Sequence, residues 1–274
     1  MELNTKIIKL FNTLSSERAT LPPAGSMRET LKKYAPPKGS FEKPANKNVL
    51  KLFATASVEM WLRSVHSFLI SSSLTNTSPL WASIAGYYSS HYTVRAIAHL
   101  LGLYQLRHKR CTVILKPTGS GFVCNFSRSK RMREHEFYWE EVKKDKNFIN
   151  EELFTKNPED NDISDAGHRN FATYIDHLDN FPNFNPLNYD ELKQRIEYIS
   201  KLEFSSYLIP DKTKYPDVEN VQIVAYHRLV YYRELIDQIV MSENNFWSVH
   251  RNPSWCRDII NFQRVKSRII ESIG

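Results

Sequence analysis

From Met60 to Arg133 the sequence contains no aspartate or glutamate. Ten basic residues fall in that interval: Arg63, Arg95, Arg107, Lys109, Arg110, Lys116, Arg128, Lys130, Arg131 and Arg133. No carboxylate within the interval neutralises them. Over the whole chain, residues 1–135 carry 20 Lys+Arg against 6 Asp+Glu, and residues 136–274 carry 17 against 24. The balances of +14 and −7 sum to the net +7. A one-signed field of this kind attracts polyanions or acidic protein surfaces and says nothing of fold.

Other absences narrow the class further. Three cysteines (Cys111, Cys124, Cys256) with no dense spacing exclude a disulfide scaffold. No run approaches the roughly 18 apolar residues that span a bilayer; the longest apolar stretches, Leu80–Tyr88 and Ala96–Tyr104, are short, and His99 interrupts the second. The opening MELNTKIIKLFNTL lacks a basic segment leading into an apolar run, so a cytoplasmic location is expected. The GxGxxG, GxxxxGK[ST], HExxH and GxSxG spacings do not occur, which argues against nucleotide loops, zinc hydrolases and nucleophile elbows.

What is present is helical texture around one β-prone segment. Residues 4–15 have the 3.6 period of a short amphipathic helix through Ile7, Ile8, Leu10, Phe11 and Leu14. Pro22, Pro23, Pro36, Pro37 and Pro44 then make residues 16–48 an extended arm. We therefore divide the chain into an N-terminal helix and Pro-rich arm, 1–48, and a helical domain, 49–274. Within the latter, Val49 to Leu69 keeps one apolar face, SSSLTNTSP breaks it, and Pro79 opens a second helix through Trp81, Tyr87, Tyr88 and Tyr92 to Gly102. The short connection makes the two antiparallel. Further helices are expected at Phe171–Leu178, Tyr189–Phe204, Val218–Met241 and Trp255–Ile273, and a solvated loop or weak helix over the acidic residues 140–165.

The period changes at Thr112-Val-Ile-Leu-Lys-Pro and Phe122-Val-Cys-Asn-Phe, two β-prone runs separated by Thr-Gly-Ser-Gly. They predict a β-hairpin near 111–127, with the LRHKR and SRSKRMR clusters converging at its open end. The fold class is thus mainly α, a helical bundle with a small inserted β-hairpin. His108, Cys111, Cys124 and His135 have zinc-ligand chemistry but irregular spacing; two cysteines packed on a hairpin face account for them, and no metal or cofactor is expected.

The stretch VEMWLRSV at 58–65, followed by WASIAGYYSSHYTVRAIAHLLG at 81–102, resembles the paired long helices of HEPN-type helical domains. The likeness implies a helical bundle, often dimeric, of the kind found in toxins and phage-defence (antiviral) proteins that cleave or bind RNA. Active members share an arginine, four to six residues, then a histidine, working without metal: the arginine stabilises phosphate and the histidine moves a proton. Arg128 and His135 fit that spacing. Arg169-Asn170 with His177 offers a second set, with seven residues between Arg169 and His177, and Asn170 and His177 share a helical face. Arg95 and His99, at i and i+4 in the apolar second helix, read instead as a satisfied, partly buried pair.

The expected function is therefore nucleic-acid association, with Arg107, Lys109, Arg110, Arg128, Lys130, Arg131 and Arg133 contacting RNA or DNA phosphates. If the protein is a ribonuclease, Arg169, Asn170 and His177 come ahead of Arg128 and His135 as catalytic residues. The alternative is a non-catalytic subunit of a complex, docking on an acidic protein partner or assembling head to tail with copies of itself.

Overall fold

The structure is a computed structural model that describes residues 40–44, 47–108, 111–117, 121–127, 134–145, 148, 151–155, 189–204 and 218–239. It is mainly α. In chain order the elements are β1 (Ser40–Pro44), α1 (Lys47–Ser73), α2 (Pro79–Leu100), β2 (Tyr104–His108), β3 (Cys111–Pro117), β4 (Gly121–Ser127), α3 (Glu134–Lys144), α4 (Glu152–Thr155), α5 (Tyr189–Ser200) and α6 (Val218–Ile239). The expected helices at 4–15, Phe171–Leu178 and Trp255–Ile273 lie outside the described residues. The chain forms two compact units: the first takes residues 1–60, 94–150 and 234–251, the second 61–93, 151–233 and 252–274.

The connection between α1 and α2 is built from hydroxyls. At the end of α1, Ser73 donates to the Ile70 carbonyl (2.9 Å), and Thr75 Oγ1 donates to the Ser72 (3.0 Å) and Ser71 (3.3 Å) carbonyls, satisfying groups that the helix can no longer pair. Ser78 then accepts from Ala82 N (2.9 Å) as the cap of α2, and Pro79 occupies the first helical position, where its missing N–H is no loss. At the far end Gly102 adopts φ 75°, with Gly102 N donating to the His99 carbonyl (3.0 Å) and Leu103 N to Ala98 (2.8 Å). That is a Schellman closure, and it needs a residue without Cβ strain at positive φ.

Small residues line the α1–α2 seam. In the second unit Ser64 Oγ donates to the Ser89 carbonyl (2.5 Å) and lies 2.6 Å from Thr93 Oγ1, and Ser71 Oγ donates to the Ala82 carbonyl (2.7 Å). In the first unit Ser57 Oγ donates to the Ala96 carbonyl (2.7 Å). Each step of seven residues forward on α1 is matched by seven backward on α2, as antiparallel helices require. Buried hydroxyls paired with backbone carbonyls let the helix axes approach without leaving polar atoms unsatisfied.

In the second unit α6 packs on this pair. Trp61 stacks on Tyr232 (centroids 5.6 Å, 27°) and donates Nε1 to the Leu229 carbonyl (3.3 Å); Phe68 meets Tyr226 (5.9 Å). Gln222 Nε2 donates to the Ser71 carbonyl (2.9 Å) and Thr75 Oγ1 (2.8 Å), and Arg195 of α5 donates Nε to Gln222 Oε1 (3.0 Å). Buried Arg228 donates Nε to the Leu153 carbonyl (2.9 Å), tying α6 to the α4 turn. Phe154 on that turn is fully buried, as is Phe148 in the first unit. Within the stretch read as a solvated loop or weak helix, the described residues 140–144 instead complete α3, and Phe148 and Phe154 are core.

The first unit holds a four-stranded antiparallel sheet in the order β1-β4-β3-β2. The expected hairpin is its centre, β3–β4, with Val113 opposite Phe126 and Leu115 opposite Cys124. Two flanking strands were not apparent in the sequence. β2 pairs with β3 from Tyr104↔Leu115 to His108↔Cys111, and β1, from the Pro-rich arm, pairs with β4 from Ser40↔Asn125 to Pro44↔Gly121. The edge place of β1 is the one a strand ending in proline tolerates.

Candidate nucleic-acid interface

The sheet register decides where the basic clusters meet. Arg107 on β2 is opposite Thr112 on β3, and Thr112 is opposite Ser127 on β4, so the three form one row across neighbouring strands. His108 pairs with Cys111, which leaves Lys109 and Arg110 as the two-residue connection between β2 and β3. Ser127 ends β4, and Arg128 follows it. The first three residues of the LRHKR cluster therefore end β2, and the SRSKRMR cluster begins, at Ser127, at the same end of the sheet.

Alternation along the strands separates the two faces. Tyr104, Leu106 and His108 share one face with Leu115, Val113 and Cys111. Arg107 shares the other with Thr112 and Ser127. Of the residues expected to contact phosphate, Arg107 has a described backbone position. Lys109, Arg110, Arg128, Lys130, Arg131 and Arg133 lie outside the described residues. So do Arg169, Asn170 and His177, while His135 is half-buried in the first turn of α3.

The register also bears on zinc. Cys124 is opposite Leu115, four residues along β3 from Cys111. That separation is about 13 Å at strand rise, too far for two ligands of one tetrahedral ion. Among the described residues no three His, Cys, Asp or Glu side chains come together as a metal site.

Arg95 and His99 form a structural knot. The His99 ring is buried, stacked on Tyr104 (5.1 Å, 25°) and edge-on to Tyr138 of α3 (5.5 Å, 89°). The Arg95 guanidinium sits over the Tyr138 ring at 5.3 Å. Tyr138 Oη in turn accepts from Gln105 N (3.0 Å), so the strand, the helix end and α3 close on one another. Burial, and then the Arg95 charge, push the His99 imidazole down from 6.5 to about 3, against the opposing pull of the Leu103 carbonyl 2.9 Å from Nδ1. The ring is neutral at physiological pH, and Nδ1–H is the donor to that carbonyl.

The aromatics of the acid-free interval divide between core and surface. Tyr87, Tyr104, Tyr138 and Trp139 are buried, whereas Trp81 is 59% exposed and Tyr88 and Tyr92 are half-buried. Among the described residues, no helix is long and apolar enough to cross a membrane. Comparison with protein families, curated proteins and solved structures finds no match to this chain.

Proposed function

We propose that this is a nucleic-acid-associated protein of the cytoplasm, with the end of the sheet formed by the β2–β3 turn and the exit of β4 as its phosphate-contacting surface. The observation that supports the reading is the register row Arg107–Thr112–Ser127, because it brings to one end of the sheet the two strand ends that the sequence follows with Lys109–Arg110 and with Arg128–Arg133, within an interval devoid of acid. Lys and Arg gathered in this way neutralise phosphates and release their counterions. The HEPN likeness extends the reading to a metal-independent ribonuclease of the toxin or phage-defence type. Arg169, Asn170 and His177 then serve as its reactive set, ahead of Arg128 and His135.

The test is one gel on which the purified chain meets mixed RNA and DNA at moderate salt without metal. Reversing Arg107, Lys109, Arg110 and Arg128 to Glu abolishes retardation of either nucleic acid while the circular dichroism spectrum is retained; unchanged affinity sinks the assignment. Cleavage that disappears in His177→Ala establishes the ribonuclease, and retardation without cleavage leaves a binding module. The +14/−7 asymmetry favours a second reading, a subunit docked on an acidic partner. A chain that binds neither RNA nor DNA leaves that reading standing alone.

A further inference from the structure

In the second unit, α1 and α2 present two unlike sides. From the Ser64–Ser89 and Ser71–Ala82 seam, one side turns to α6: Trp61 and Phe68 meet Tyr232 and Tyr226, and a Cβ on Gly86 would lie 2.6 Å from Val221. At 3.6 residues per turn, Arg63 and Ile70 of α1 and Trp81, Ile84, Tyr88 and Tyr92 of α2 fall on the opposite side of that seam. Burial agrees: Ile70 is 38% and Trp81 59% exposed, Arg63 is exposed, and Ile84, Tyr88 and Tyr92 are half-buried.

This side is an aromatic strip on two helical segments that carry no carboxylate. Trp81 and Tyr88 are two turns apart on α2, and the Tyr88 and Tyr92 rings lie 5.9 Å apart. Each tyrosine is braced from behind, Tyr88 by the edge of buried Tyr87 (5.3 Å) and Tyr92 by buried His91 (5.8 Å), so the rings are held in place. From Met60 onward α1 and α2 carry no carboxylate, while the described acidic residues of this unit sit on α4, α5 and α6 or next to them. Arg63 adds a cation to the strip.

We propose that this strip binds single-stranded nucleic acid, with a base stacked on the Trp81 indole and the backbone running along the helical hairpin toward Arg63. It rests on the nucleic-acid reading above and adds a second contact surface to it. A polyanion is the occupant that the acid-free surroundings suit, and stacking on an exposed indole requires a base face that a duplex keeps hidden. The same strip offers an acidic peptide no paired donors beyond Arg63, and a second copy packed by the same face would bring no carboxylate to pair Arg63.

The experiment uses the full chain, fluorescently labelled oligouridine, and the duplex of that strand with oligoadenine. Trp81→Ala weakens the single strand about tenfold, the scale of one stacked base, and leaves duplex affinity unchanged; Trp81→Phe retains most of the affinity. The indole is largely exposed, so the thermal melts of both variants match the parent. Single-strand affinity unchanged in Trp81→Ala, or an equal loss on strand and duplex, overturns the proposal. So does a change that appears only in sedimentation, which would make the strip a contact between copies. A parent chain that binds neither probe defeats the nucleic-acid reading itself, whereas a parent that binds both, with Trp81→Ala indistinguishable from it, defeats only the strip.

Discussion

The two units solve one problem, burying polar groups beside packed helices, in different ways. Along its α1–α2 seam the second unit uses short neutral side chains, with buried His91 and Arg228 lying away from that seam. Ser64 and Ser71 satisfy backbone carbonyls across a close helix seam, and Gln222 completes the network from α6. These hydroxyls and amides carry no proton that titrates near neutrality. The first unit instead packs an imidazole and a guanidinium into an aromatic shell, with His99 between Tyr104 and Tyr138 and Arg95 over the Tyr138 face. The neutral seam is sensitive to side-chain volume, while the His99 imidazole, held down at about 3, makes the first unit sensitive to proton concentration.

The largest test of this contrast is Trp61→Ala. It removes a side chain that is 2% exposed, stacked on Tyr232 and bonded to the Leu229 carbonyl, and lowers stability by about 3–5 kcal/mol. Hydrogen exchange locates the damage: amides of α6 lose protection before those of β3 and β4, and Trp61→Phe recovers most of it. Equal loss in α6 and in the strands would show that the units unfold as one block.

α1, α2, α5 and α6 were legible because periodicity and breakers agree there; α3 was not, since its last residues belong to the acidic stretch read as a solvated loop or weak helix. Pro79 and Gly102 mark the limits of α2 in the sequence, and they stand at its first helical position and its left-handed closure. The β3–β4 hairpin was legible for the same reason. β2 was not: YQLRH is short, and it follows directly on a helix end rich in leucine, so no alternation stands out. β1 was hidden because its SFEKP sequence belongs to a stretch dominated by proline, and only the long-range pairing with β4 makes it a strand. For the candidate interface, the basic clusters were plain, and the β3–β4 hairpin that flanks them was too. That the first cluster begins inside a strand depends on β2 and was not. The exposure of Trp81 was unreadable too, since an indole two turns from Tyr88 has the spacing of a core stripe until the position of α6 is known.

Gly86 tests how close the second unit's helices come. A Cβ there would stand 2.6 Å from Val221 Cγ1 and 3.1 Å from Ser71 Oγ, closer than packed atoms tolerate. Overpacking of this kind costs about 1–3 kcal/mol, offset in part by the roughly 1 kcal/mol by which alanine is the better helix former. Gly86→Ala is therefore destabilising by about 1 kcal/mol net in urea titration, and Val221→Ala, harmful by itself, is less so in the Gly86→Ala background. Additive effects of the two substitutions would mean that the approach of α6 to α2 is not limited by this contact.

His99 gives the first unit a pH dependence with a definite sign. Its folded pKa of about 3 lies below the ordinary 6.5, so between those values the unfolded chain holds a proton that the folded chain refuses. Stability is complete above 6.5, falls as pH drops below it by up to about 1.4 kcal/mol per unit, and stops falling near the folded value. Equilibrium unfolding at pH 7.5 and pH 5.5 measures the slope, and the matching comparison in His99→Gln removes this group's share of it. Gln cannot charge, so that variant begins less stable at pH 7.5, having lost the ring stacking on Tyr104, and loses less on acidification than the parent. A parent and variant with the same acid slope would mean that the imidazole takes up its proton inside the aromatic shell at an ordinary pH, with Tyr138 and Leu103 yielding to admit water.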